Sequence, residues 1–174
     1  IRYKEKNFME VKGTLLEGIK VRKLLCFEDK RGANVVLHEQ NQWDIETPDF
    51  INSSLSISRY NVLRGIHGDY RTWKEITCIT GTIYFVLVDR REKSHTYNKW
   101  MGMILSDENM LQVLVPPGFG NGHYVQSAFC VFHYNLAASY DISTQFSLKW
   151  NDTGIGIEWP CTSPILSERD SGNV

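Results

Sequence analysis

No two of the four cysteines stand as C-x-x-C; they sit at positions 26, 78, 130 and 161. That spacing excludes a zinc knuckle and a dithiol redox motif. Three of them fall in strand-like apolar runs, where buried free thiols are expected, and free thiols suit a reducing cytoplasm. No apolar run approaches the roughly 20 residues that a membrane-spanning helix needs. The first residues, Ile1 to Met9, are polar and charged, without the apolar region of an export signal. A cytoplasmic location without a membrane partner is therefore expected. Charge of one sign is also lacking: 19 Lys and Arg against 20 Asp and Glu give a net charge of −1. A broad basic surface for nucleic acid is thereby excluded, and any phosphate must be held by a few local arginines and lysines. Neither G-x-G-x-x-G nor G-x-x-x-x-G-K-[ST] occurs, so a nucleotide cofactor bound in either standard way is not expected. Internal repeats and low-complexity linkers are absent too.

What is present is the makings of one globular domain spanning residues 1–174. The chain is 42% hydrophobic and 12% aromatic, long enough to bury a real core. Apolar or alternating runs rich in Val, Ile, Tyr, Phe and Trp recur at 19–27, 33–38, 60–67, 73–79, 82–89, 99–105, 111–115, 122–127, 129–137 and 155–159. They read as short strands. Turn signals separate them, among them Asp29-Lys30-Arg31-Gly32, Gly68-Asp69, Thr80-Gly81 and Pro116-Pro117-Gly118. Helix is expected only near 107–110 and in the tail. Many short strands in one domain predict an all-β jelly roll or small barrel.

Strand alternation singles out several polar side chains on apolar faces. Lys74 shares a face with Ile76 and Cys78, Tyr134 with Phe132 and Leu136, and His67 with Leu63. Arg64 has the opposite parity to His67, but Gly65 between them permits a bulge that would turn both inward. Within a closed barrel such residues line a ligand cavity. His67 is a candidate general base, since imidazole is the side chain best suited to take a proton near neutral pH. Lys74 is a candidate enolate stabiliser and Tyr134 a candidate acid. Arg31 and Arg64 are candidate phosphate ligands, and Asp89 and His123 candidate substrate contacts. A metal site is not expected. His67 is followed by Gly68-Asp69 rather than a second histidine, and Lys74 would repel a cation.

These segments, taken together, resemble the dTDP-4-dehydrorhamnose 3,5-epimerase family. The matching pieces are Asp29-Lys30-Arg31-Gly32, Val62-Leu63-Arg64-Gly65-Ile66-His67, Lys74 with Cys78-Ile79-Thr80-Gly81, and Val88-Asp89-Arg90-Arg91. Then come Thr96 and Trp100, Pro117-Gly118-Phe119, Tyr134, Trp150-Asn151-Asp152, Gly156-Ile157-Glu158-Trp159-Pro160 and Pro164 to Asp170. The resemblance implies a cupin-like jelly roll (double-stranded β-helix) with an N-terminal strand extension, working as a homodimer without metal or cofactor. It further implies that His67 is the base and that Asp170 completes a His-Asp dyad. Lys74 would steady the enolate oxygen and Tyr134 would donate a proton on the opposite face. Arg31 and Arg64 would contact the diphosphate, Arg31 from across the dimer.

Two departures bear on the substrate. Asn121 stands where the family usually has histidine, and Asn52 and Ser54 replace a Gln-x-Asn pair. Gly120 and Gly122 flank Asn121 with little bulk, which would leave room for a larger sugar. Asn61-Val62-Leu63-Arg64-Gly65-Ile66-His67-Gly68-Asp69, with Gly120-Asn121-Gly122-His123-Tyr124-Val125, is similar to a subgroup acting on GDP-linked 4-keto-6-deoxy-heptoses in bacterial capsule synthesis. The substrate expected from that likeness is a GDP-heptose inverted at C3, C5 or both. The alternatives are a dTDP-4-dehydrorhamnose 3,5-epimerase, a sugar 3,4-ketoisomerase, and a non-catalytic sugar-nucleotide-binding jelly roll.

Overall fold

The computed structural model describes residues 11–172; the polar stretch Ile1–Met9 lies outside them. The chain forms β1 (Val11–Gly13), β2 (Lys20–Lys23), β3 (Leu25–Asp29), β4 (Gly32–Val36), β5 (Asn52–Arg59), β6 (Leu63–Asp69) and β7 (Lys74–Thr80). It continues with β8 (Thr82–Asp89), β9 (Trp100–Ser106), β10 (Leu111–Val115), β11 (Phe119–Val125), β12 (Phe129–Leu136), β13 (Gln145–Ser147) and the one-turn helix α1 (Glu168–Ser171). Two antiparallel sheets face each other, in the orders β1-β9-β8-β11-β6-β13 and β2-β10-β7-β12-β5. The hairpin β3–β4 stands apart as a two-stranded sheet. This is the expected all-β cupin-like jelly roll. The N-terminal strands extend it, β1 adding to the edge of one sheet and β2 to that of the other.

Alternation along β8 explains how both faces of the six-stranded sheet are buried. Ile83, Phe85 and Leu87 point into the core between the sheets with Met103, Val113 and Phe132. Tyr84, Val86 and Val88 point outward, where Trp150, Ile155, Ile157 and Trp159 of the C-terminal tail cover them. The run 155–159 is thus no strand, contrary to expectation. Its apolar side chains seal the sheet from an irregular backbone, and Trp159 Nε1 donates to the Trp150 carbonyl at 2.7 Å. The helix expected near 107–110 is a turn, closed by reciprocal bonds between Ser106 and Asn109 and by a left-handed Met110. All four cysteines are free, with Cys78 and Cys130 buried. Among the described residues, no helix is long and apolar enough to cross a membrane.

The strand β5 escapes the pattern search because its polarity is inverted. Ser54, Ser56 and Ser58 face inward, Ser58 being buried, while Leu55 and Ile57 are 56% and 66% exposed. Among the described residues it is an edge strand, paired only with β12.

Candidate active site

A cavity of about 290 Å³ opens between the two sheets. The six-stranded sheet contributes Arg64, His67 and Asp69 from β6 and Asn121 and His123 from β11. The five-stranded sheet contributes Lys74 from β7 and Phe132 and Tyr134 from β12, and Tyr140 and Arg169 stand at the rim. His67 and Tyr134 therefore approach the cavity from opposite walls.

Gly65 makes the first wall possible. The register between β6 and β11 shifts there: Asn121 lies opposite His67 and His123 opposite Arg64, so Gly65 and Ile66 together face Gly122. Gly65 has φ +113°, and a Cβ on it would sit 2.6 Å from Gly122 Cα and 2.8 Å from the Asn121 carbonyl oxygen. Only glycine fits. The bulge turns both Arg64 and His67 into the cavity, as expected of it. It also corrects the simple parity: His67 does not share a face with Leu63, which packs outward with Ile66 under the tail.

His67 Nε2 lies 2.8 Å from Asp170 Oδ1. The other Asp170 oxygen accepts from the Gly65 amide at 3.3 Å. Ser167 caps α1 by accepting the Asp170 amide, which fixes the carboxylate against the bulge. Burial pushes the Asp170 carboxyl up, but its hydrogen bonds and the His67 charge outweigh that and hold it below the usual range. An imidazole so backed can take a proton from carbon. Lys74 Nζ donates to Asn121 Oδ1 at 2.7 Å. Burial pushes its ammonium down to about 8, against the opposing pull of Asp69. Tyr134 packs beside Phe132 and lines the cavity from the five-stranded wall. Arg64 Nε donates to Ser58 Oγ at 2.8 Å. His123 stacks on Phe132 with ring centroids 4.2 Å apart. Burial and then the Arg64 charge push His123 down to about 3, so its imidazole is neutral.

Seven of the nine sequence candidates thus gather at the cavity, Asp170 through its bond to His67. Two do not. Asp89 is fully buried and its oxygens are taken by Arg91, Ser94 and Thr96. Burial raises its carboxyl, yet these donors outweigh burial and bring it down to about 2. It holds the 90–98 loop rather than a ligand. Arg31 lies exposed at the β3–β4 turn, paired with Asp29. The glycines beside Asn121 need correction as well. A Cβ on Gly120 would meet Ile66 at 2.7 Å, and one on Gly122 would meet the Arg64 carbonyl oxygen at 2.9 Å. Both face away from the cavity, so they add no room for a sugar.

Sequence reasoning missed Ser147, Arg169, Asp69 and Gln145. Ser147 Oγ lies 3.1 Å from His67 Nδ1 and accepts from Arg169 at 2.8 Å. Asp69 is buried, accepts from Gln145 Nε2 at 2.7 Å, and so ties β13 to β6. Nothing in the three-residue strand β13 announces such contacts. Among the described residues, no group of three or more His, Cys, Asp or Glu side chains could hold a metal ion.

The profile of the dTDP-4-dehydrorhamnose 3,5-epimerase family matches residues 13–174. The dTDP-4-dehydrorhamnose 3,5-epimerase of Escherichia coli is 34% identical over 169 residues, 93% of this chain and 91% of the relative. A crystal structure of dTDP-6-deoxy-D-glucose-3,5-epimerase from Legionella pneumophila, in complex with dTDP-4-keto-L-rhamnose, superposes with a TM-score of 0.85 at 30% identity. It covers 94% of this chain and 90% of that one. The Bacillus anthracis dTDP-4-dehydrorhamnose 3,5-epimerase, with TDP and pyrophosphate bound, also superposes with a TM-score of 0.85, at 32% identity over 93% of this chain and 96% of that one. With the family profile, the relatives and the fold in agreement, the chain belongs to the dTDP-4-dehydrorhamnose 3,5-epimerase family and is an isomerase of the carbohydrate-epimerase type.

Proposed function

We propose that this chain inverts C3, C5 or both of a nucleotide-diphosphate-linked 4-keto-6-deoxy sugar, and that the sugar is a dTDP-linked hexose. The observation that carries the reading is the pairing of a carboxylate-backed imidazole, His67, with a phenol, Tyr134, on opposite walls of one cavity. The C4 ketone acidifies the hydrogens on C3 and C5. His67, with Asp170 behind it, takes one of them. The electrons move to the C4 oxygen, where the Lys74 ammonium meets the developing charge. Tyr134 delivers a proton to the other face of the same carbon, which inverts it. His67 then releases its proton to solvent, and the tyrosinate regains one. Two groups are needed because a single base returning its own proton would restore the starting configuration. Arg64 is suited to the diphosphate, and His123 and Asn121 to the sugar.

The dTDP-hexose assignment is supported by the relatives, whose names carry that substrate. A second reading, a GDP-linked 4-keto-6-deoxy-heptose, is favoured by one observation: the cavity wall carries Asn121, smaller and neutral, where histidine is usual. We further propose a homodimer acting in the cytoplasm. The exposed Leu55 and Ile57 of edge strand β5, with Leu25 and Phe27 of the separate hairpin, support an apolar contact between copies. Such a contact would carry Arg31 toward a partner's diphosphate. A monomer by light scattering at micromolar concentration would refute the dimer. The reaction is tested by incubating the protein with dTDP- and GDP-linked 4-keto sugars in deuterated water and following C3 and C5 by NMR. Deuterium entry with inversion is expected, at higher kcat/KM on the dTDP-hexose. Binding without exchange would make the chain a sugar-nucleotide carrier, and carbonyl migration would make it a ketoisomerase.

A further inference from the structure

We infer that Ser147 is a positioning residue that sets the tautomer of the base. The inference rests on His67 being that base. Ser147 lies directly opposite His67 in the β13–β6 ladder. Backbone bonds pin it there from the next position, Leu148 N to the Ile66 carbonyl at 3.0 Å and Ile66 N back to the Leu148 carbonyl at 3.4 Å.

The hydrogen bonds around His67 form a chain with one consistent set of directions. A guanidinium cannot accept, so Arg169 Nη2 must donate to Ser147 Oγ, at 2.8 Å. The serine hydroxyl proton is then free to point at His67 Nδ1, 3.1 Å away. A nitrogen that accepts that proton carries none of its own. The ring's single proton must therefore sit on Nε2, where it is donated to Asp170 Oδ1 at 2.8 Å. Arg169, Ser147, His67 and Asp170 form a chain of donors that ends on a carboxylate. In the neutral ring the chain specifies the tautomer with its lone pair on Nδ1, the form a base needs before it can act. Asp170 alone would not do this, because a carboxylate accepts equally well from either ring nitrogen if the ring turns over. Ser147 removes the ambiguity. For the base to act, the substrate C–H must take the hydroxyl's place at Nδ1, with Arg169 keeping hold of the serine oxygen.

The test pairs a spectroscopic readout with a kinetic one. In protein labelled with 15N-histidine, the wild type is expected to show His67 protonated at Nε2 and bare at Nδ1, and Ser147→Ala a mixture of tautomers. Ser147 is exposed, so the alanine variant should fold. Losing one orienting hydrogen bond should lower kcat about fivefold, with KM within about twofold. Proton exchange and inversion should fall together, since abstraction itself is impaired. Ser147→Thr, which keeps the hydroxyl, should restore both signals. A single unchanged tautomer in Ser147→Ala, or turnover equal to or faster than wild type, would overturn the inference. So would a rise in KM at constant kcat, which would make Ser147 a substrate contact. If the wild type itself exchanges no deuterium, the epimerase reading fails and this inference falls with it; the other adverse outcomes leave that reading standing.

Discussion

Replacing Lys74 with methionine should separate activity from stability. The ammonium is buried, with Asn121 Oδ1 as its hydrogen-bond acceptor, and its pKa falls from 10.5 to about 8. A fall of that size corresponds to about 3 kcal/mol of penalty on the charged form in the folded state. The sign follows from proton counts. Between pH 8 and 10.5 the unfolded chain holds this proton and the folded chain does not. The penalty is therefore complete below about 8 and is relieved as pH rises toward 10.5. Methionine keeps the aliphatic bulk and removes the charge, so at pH 7 the variant should lose nothing in stability and gain up to about 3 kcal/mol. Its kcat should fall about 10²–10³-fold, the usual consequence of removing one oxyanion-stabilising group. For the same reason wild-type activity should decline as pH rises through about 8, where the cation is lost. Thermal unfolding at pH 7, with deuterium exchange on a 4-keto sugar, measures both quantities. Unchanged exchange in Lys74→Met would refute the placement of the enolate oxygen at Lys74. A large drop in thermal midpoint would refute the account of a penalised cation.

Other substitutions address the remaining groups. His67→Asn should abolish exchange at C3 and C5 alike, a loss of at least about 10²-fold, in a protein of normal fold by circular dichroism. Tyr134→Phe should still exchange while inversion drops sharply, at a stability cost of no more than about 1.5 kcal/mol; inversion at the wild-type rate would send the search to another acid. Gly65→Ala should destabilise by at least about 2 kcal/mol in denaturant titration, because the Cβ collides with backbone and the residue sits at positive φ. Asp89→Ala should leave KM unchanged in the fraction that folds and cost about 3 kcal/mol, since it strands Arg91 and two hydroxyls in a buried site.

The sequence spoke most clearly where alternation and burial coincide. Lys74 with Ile76, and Tyr134 with Phe132, were legible as inward-facing pairs because regular strands obey a period of two. Gly65 was legible as a bulge because a glycine between two candidates of opposite parity has few other uses. The same bulge hid the true orientation of Leu63, since one extra residue flips everything beyond it. Edge strand β5 was invisible because Ser54, Ser56 and Ser58 face the barrel while Leu55 and Ile57 face out, the reverse of what burial writes into a strand. Asp89 misled because a carboxylate at a strand end looks the same whether it meets a ligand or, as here, Arg91, Ser94 and Thr96 from the following loop. Ser147 could not be read at all. Its partner His67 is 80 residues away, and only the pairing of β13 with β6 brings them together.

Inversion at carbon requires chemistry from two directions, and the two facing sheets supply two walls. The five-stranded wall gives its polar groups at ordinary alternating positions, Lys74 on β7 and Tyr134 on β12. The six-stranded wall must do more, since it presents Arg64 and His67 three residues apart on one strand. A regular strand puts residues three apart on opposite faces. The shift at Gly65 is therefore a requirement of the chemistry placed on β6. It leaves the Gly65 amide outside the regular ladder, and that amide is the one that donates to Asp170. The distortion that turns His67 inward thus also anchors the Asp170 carboxylate behind it, so the His67–Asp170 pair and the bulge stand or fall together.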